Sequence, residues 1–134
     1  MMRPMSRLFV ILSGVLGFTA VALGAFGAHG LRSRLDALPD GVKRMEWWTT
    51  AAHYHLVHAV ALSFVAWLVH RGAGTSAVVA GWCFVAGVGI FSGSLYLMTV
   101  TGQTKLGAIT PIGGLLMMAG WAAIVVAGAR LSAG

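Results

Sequence analysis

AVVAGWCFVAGVGIFSGSLYLMTV, residues 77–100, contains no Lys, Arg, Asp or Glu. It exceeds the ~20 apolar residues that carry a helix across the ~30 Å hydrocarbon core of a bilayer. Three further charge-free runs accompany it, at approximately 8–28, 51–69 and 108–129. The connections between 69 and 77 and between 100 and 108 are short, which makes the second and third runs, and the third and fourth, antiparallel neighbours. The expected fold is all-α, a four-helix transmembrane bundle forming a single integral membrane domain over residues 1–134.

Composition agrees with this reading. Of 134 residues, 58% are hydrophobic and only 9% charged, and the mean hydropathy is +0.86, so too few polar side chains exist to cover a soluble globule. The net charge of +6 arises from 9 Lys and Arg against 3 acids. In a soluble chain that excess would suggest nucleic acid, but here the basic residues are scattered over the termini and every connection, where they meet lipid head groups. Membrane lipids are the expected partners, and nucleic acid is not. The lone Cys83 excludes a disulfide framework and a cysteine-based zinc site within one chain.

The first run begins after Arg3 and Arg7 and ends among small residues, a pattern shared with secretory leaders. Its ~20-residue length and its glycines favour a retained first span. The longest connection follows it. Leu31, Leu35 and Leu38 recur at i, i+4 and i+7 among Arg32, Arg34 and Asp36, and Pro39-Asp40-Gly41 ends the segment. This spacing predicts a short interfacial helix between the first and second spans, with a plain solvated loop as the alternative. Asp40 is placed to cap the next helix, with Trp47 and Trp48 at head-group depth.

With every run spanning, Arg3, Arg7, Arg71 and Arg130 share one side of the membrane. Arg32, Arg34, Lys43, Arg44 and Lys105 share the other. Four cations against five leave the orientation open under the positive-inside rule.

Small residues are spaced for close helix contact. Gly89 and Gly93 in the third run, Ser13 and Gly17, and Ala20, Gly24 and Ala28 in the first, all repeat at i+4 and so line helical faces. Gly17, Gly24, Gly89 and Gly93 are the expected helix-packing positions, either within the chain or between copies.

The polar candidates gather on one side. His29 ends the first run, while His53, His55 and His58 open the second. Because consecutive spans are antiparallel, these fall at one depth. At about 100° per residue, His55 and His58 lie roughly 60° apart on one face, whereas His53 points away. His29, His55 and His58 are therefore the histidines expected to converge, with Tyr96 and Thr110 approaching from the third and fourth runs. Three imidazoles suit a metal or haem, but no ligand motif supports one, so neither metal nor cofactor is expected. Mutual or backbone satisfaction of the rings, and proton or ligand handling, both remain open readings. For the fourth run, Thr110-Pro111 reads as a helix start; a helix beginning near Lys105 and kinked at Pro111 is the alternative.

Four strings of sequence carry a resemblance. They are Gly27-Ala28-His29-Gly30-Leu31; Trp48 and Ala51 followed by Tyr54-His55 and His58-Ala59; Phe91-Ser92-Gly93-Ser94-Leu95-Tyr96; and Leu106-Gly107-Ala108-Ile109-Thr110-Pro111-Ile112-Gly113-Gly114. In this order the chain resembles the domain-of-unknown-function 423 family, also called the transmembrane protein 256 family. The resemblance implies a small integral membrane protein with about four spans, found in bacteria and in eukaryotic organelles. It implies no activity and supplies no catalytic residue.

No Ser-His-Asp set or carboxylate pair at catalytic spacing is evident, which argues against an enzyme. The expected role is a structural or accessory component that self-associates or joins a larger membrane complex. The alternative is a binding or transport protein with a polar interfacial site for a metal, proton or anionic lipid. The expected location is the membrane, in a bacterial cell the inner one.

Overall fold

The computed structural model describes residues 1–131. Helix α1 (Pro4–Phe26) passes through a π-helical turn (Gly27–Leu31) into the one-turn α2 (Arg32–Leu35). Helices α3 (Gly41–His70) and α4 (Thr75–Thr101) follow, then a 3-10 turn (Thr104–Ala108) and α5 (Thr110–Ala129). No strand occurs among the described residues. Four helical segments, Pro4–Leu35, Gly41–His70, Thr75–Thr101 and Thr104–Ala129, are long and apolar enough to cross a membrane. The chain is thus an all-helical membrane protein with four candidate spans.

Neighbouring helices pack in chain order, α1 on α3, α3 on α4 and α4 on α5, while α3 and α5 scarcely touch. One apolar core lies toward the end that holds Met5, Leu131 and the 70–75 turn. It is built from Phe9, Leu62, Val65, Leu68, Phe84 and small residues around them. The Arg3 guanidinium lies beside Gly72, and that of Arg130 lies near Gly74. Arg3, Arg71 and Arg130 therefore share one end of the bundle.

The first connection differs in one respect from the sequence expectation. The short helix between the first and second spans is a single turn, and it continues α1 instead of standing apart from it. The π turn, in which Arg32 N–H reaches Gly27 O, inserts one residue and so rotates every following side chain by about 100°. Leu31 and Leu35 thereby turn inward onto Trp48, leaving only Leu38 exposed, at 41%. The leucine face thus packs into the bundle. Trp48 goes with it, only 4% exposed, so its ring packs inside the bundle.

Asp40 occupies the N-cap position of α3 without a capping side-chain bond. Its carboxylate instead accepts from Arg44 Nε at 2.8 Å. Arg44 also closes the far end of α4: its Nη1 donates to Thr99 O at 3.4 Å, and Thr99 Oγ1 donates to Arg44 O at 3.1 Å. Gly102, at φ +72°, ends α4 in the left-handed region that glycine adopts without strain. A side chain there would run into the Arg44 guanidinium. A cation against terminal carbonyls complements the negative end of the helix dipole.

Helix α5 starts at Thr110 with Pro111 in its first turn, where a missing N–H costs no helical bond. The preceding segment is a 3-10 turn, so no kinked α-helix begins at Lys105.

Candidate functional site

The six buried polar side chains, Ser6, His55, His58, Ser92, Ser94 and Thr99, all take part in contacts between helices. On α1, Ser6 Oγ donates to Ala66 O and Ser13 Oγ to Ala59 O, both at 2.8 Å and both on α3. From α4, Ser92 Oγ donates to Ala51 O at 2.8 Å. Every buried side-chain nitrogen or oxygen among the described residues has a partner. Such bonds add to van der Waals packing in holding spans together, because lipid is as apolar as the helices and supplies no hydrophobic driving force.

His55, 5% exposed, joins three spans. Its Nε2 lies 3.3 Å from Thr19 Oγ1 on α1, and its Nδ1 lies 3.1 Å from Tyr96 Oη on α4. Thr19 Oγ1 is also 2.9 Å from Val15 O. A carbonyl only accepts, so donation by Thr19 to Val15 leaves its oxygen to accept from His55 Nε2–H. Tyr96 then donates to Nδ1, and every group in the chain is satisfied.

His58, 3% exposed, belongs to a second network. Its Nδ1 donates to Tyr54 O at 2.8 Å, and Trp121 Nε1 on α5 donates to its Nε2 at 3.1 Å. These two bonds fix the neutral ring with the proton on Nδ1. Neither histidine keeps a lone pair free. Among the described residues, no three His, Cys, Asp or Glu side chains come together as a metal site would require.

The expected cluster is thus brought together only in part. His55 and Tyr96 touch; His58 lies one turn on and bonds elsewhere. Thr110 Oγ1 pairs with Ser94 Oγ at 2.6 Å, tying α4 to α5. His29 is exposed on the π turn and joins neither network.

Sequence reasoning missed Thr19 and Trp121 as the histidines' partners, and Trp48 as an anchor. Trp48 Nε1 donates to Leu23 O at 2.8 Å, and its ring lies 4.6 Å from that of Tyr96. A Cβ on Gly27 would collide with this indole. Gly27 and Trp48 both belong to the quoted strings, and this contact is the physical link between the two.

The expected packing glycines find no neighbour within the described chain. A Cβ built on Gly17, Gly24, Gly89 or Gly93 meets nothing within 4 Å. Close approach within the chain falls instead to Gly81 under Phe9, Gly87 against Met117, Gly113 against the Phe91 backbone and Gly120 under Phe84. Gly24 borders a groove between α1 and α3.

Comparison with known proteins agrees with this architecture. The family described as "Protein of unknown function (DUF423)" matches residues 23–114. The UPF0382 membrane protein YwdK of Bacillus subtilis is 44% identical over 125 residues, covering 92% of this chain and 98% of that protein. The UPF0382 membrane protein SH2409 of Staphylococcus haemolyticus is 40% identical, covering 90% of this chain and 93% of its own length. The UPF0382 inner membrane protein YgdD of Escherichia coli is 33% identical, with 94% and 92% covered. No solved structure matches. The matched range, residues 23–114, spans the π turn, its tryptophan, both buried histidines and Tyr96, and the chain belongs to the DUF423 family of membrane proteins, for which no activity is named.

Proposed function

We propose that this protein is a non-enzymatic structural or accessory component of the membrane, associating with itself or with a larger complex through an outward glycine face of α4. The observation that carries this reading is the contrast along that one helix. Gly81 and Gly87 are filled by Phe9 and Met117, whereas Gly89 and Gly93, one turn apart, present open space where a side chain would lie. Exposed backbone of this kind lets a second helix approach closely, which drives association in lipid through van der Waals contact. Gly17 offers a similar opening on α1.

The alternative, a site for a metal, proton or anionic lipid at His55 and His58, has less support, since the ring nitrogens of both are already engaged. Crosslinking in native membranes tests the association. Wild type is expected to give a crosslinked species that the Gly89→Leu, Gly93→Leu double variant loses while the fold of the monomer is kept, its thermal unfolding being no lower than that of the wild type. A strictly monomeric wild type, or crosslinking indifferent to the double variant, refutes it.

A further inference from the structure

We propose that the groove between α1 and α3 binds one zwitterionic, amine-bearing phospholipid, its head group at the mouth formed by Arg32, Asp36 and Glu46 and an acyl chain in the trough past Gly24. Two adjoining hollows make this groove. The inner one, about 610 Å³, runs along Ala20 and Gly24 on α1, Ala28 on the π turn, and Ala52 and Leu56 on α3. The outer one, about 450 Å³, is lined by Arg32, Asp36 and Glu46 among others. They share Arg32, Met45 and Thr49, so a polar mouth opens directly into an apolar trough.

The dimensions suit a lipid tail. Ala20 and Arg32 are twelve steps apart, about 18 Å of helix at 1.5 Å each. That is one leaflet's share of a ~30 Å hydrocarbon core. The trough is shallow-walled because its α1 side is Ala, Gly and Ala at successive i+4 positions, and a Cβ on Gly24 would still meet nothing. Gly24 is therefore spent neither on α3 nor on any other part of the described chain, and Ala28 is exposed, while Ala20 is buried and floors the inner end of the trough.

The charges select the head group. Arg44–Asp40 is the single ion pair among the described residues, so Arg32, Asp36 and Glu46 line the mouth without ion-pair partners. A guanidinium recognises a phosphodiester, and carboxylates beside it recognise an ammonium. A purely anionic lipid would satisfy Arg32 but meet two carboxylates of like charge. This site is independent of the α4 face, so either proposal can fail alone.

Native mass spectrometry of the full chain, released from nanodiscs of equal phosphatidylethanolamine and phosphatidylglycerol, tests the proposal. Wild type is expected to retain one phosphatidylethanolamine in preference to phosphatidylglycerol. Gly24→Leu and, from the opposite wall, Ala52→Leu should each lower that retention at least about tenfold, with helical content unchanged by circular dichroism. Arg32→Gln should weaken both lipids, and Glu46→Gln should erase the preference for the amine. No retained lipid in the folded wild type, a preference for phosphatidylglycerol, or retention untouched by both wall variants would overturn it.

Discussion

The α4–α5 pair and the α1–α3 pair are joined by different chemistry. Between α4 and α5 the backbones themselves touch: Gly113 lies against the Phe91 backbone, Gly87 against Met117 and Gly113, and Gly120 beneath Phe84. Between α1 and α3 the glycines inside α1, Gly14, Gly17 and Gly24, are idle, and only Gly27 on the π turn meets Trp48; hydroxyls at Ser6, Ser13 and Thr19, with the Trp48 indole, reach across at intervals. Glycine contacts demand a fixed, short separation. Side-chain hydrogen bonds span a wider gap, and here they leave a groove beside them. The first pair is built to stay closed, and the second is pinned at points while remaining open along one edge.

The sharpest way to break this contrast is to add a single methyl to each kind of glycine. Gly113→Ala places a Cβ into the Phe91 backbone, where no rotamer change relieves the clash and the two helices must separate. A loss of about 3 kcal/mol is expected, the upper end of overpacking costs. Gly89→Ala enters open space, and an alanine in a helix interior gains up to ~1 kcal/mol over glycine. The two substitutions should therefore move thermal unfolding in detergent in opposite directions. Equal effects of the same sign would remove the distinction between spent and open glycines.

The hydrogen-bonded pair is probed at its centre. His55→Leu removes the bonds to Thr19 and Tyr96 together and strands the Tyr96 hydroxyl in a half-buried site. A destabilisation of about 1–2 kcal/mol follows, because an unpaired buried donor keeps its full desolvation cost. Adding Tyr96→Phe to that variant should recover part of the loss, since the stranded group is then gone. A double-variant cycle reads this directly, and strict additivity would show that the three side chains do not act as one chain.

The helical architecture was legible from the four charge-free runs because hydrocarbon thickness sets span length independently of tertiary detail. The use of particular residues was not. The i+4 spacing of Gly89 and Gly93 is shared by glycines that meet a neighbour and glycines that do not, and sequence carries no sign of which helix lies opposite. The π turn was hidden for a related reason: the Leu31, Leu35 and Leu38 pattern was phased as an ordinary helix, and one inserted residue turns the first two inward. Depth alone places His29 with His55 and His58, and its exposed position on the π turn keeps it apart from them. His55 and Tyr96 were recoverable because both lie on inward faces of long, regular helices.

The smallest effect belongs to the outer pins of the α1–α3 pair. Ser13 Oγ donates to Ala59 O at 2.8 Å, in addition to whatever that carbonyl receives within α3. Ser13→Ala therefore strands no donor, and an interhelical bond in a membrane is worth about 0.6 kcal/mol on average. Alanine returns part of this through its helix propensity, serine being up to ~0.7 kcal/mol poorer in a helix. The net change in thermal unfolding should stay within about 0.5 kcal/mol, far below that of Gly113→Ala. If Ser13→Ala instead matched the glycine variant, the hydroxyls would be determinants of helix separation in their own right, and the open edge beside α1 would depend on them. A near-neutral result places their role in the alignment of α1 on α3, with stability drawn chiefly from the glycine-packed pair.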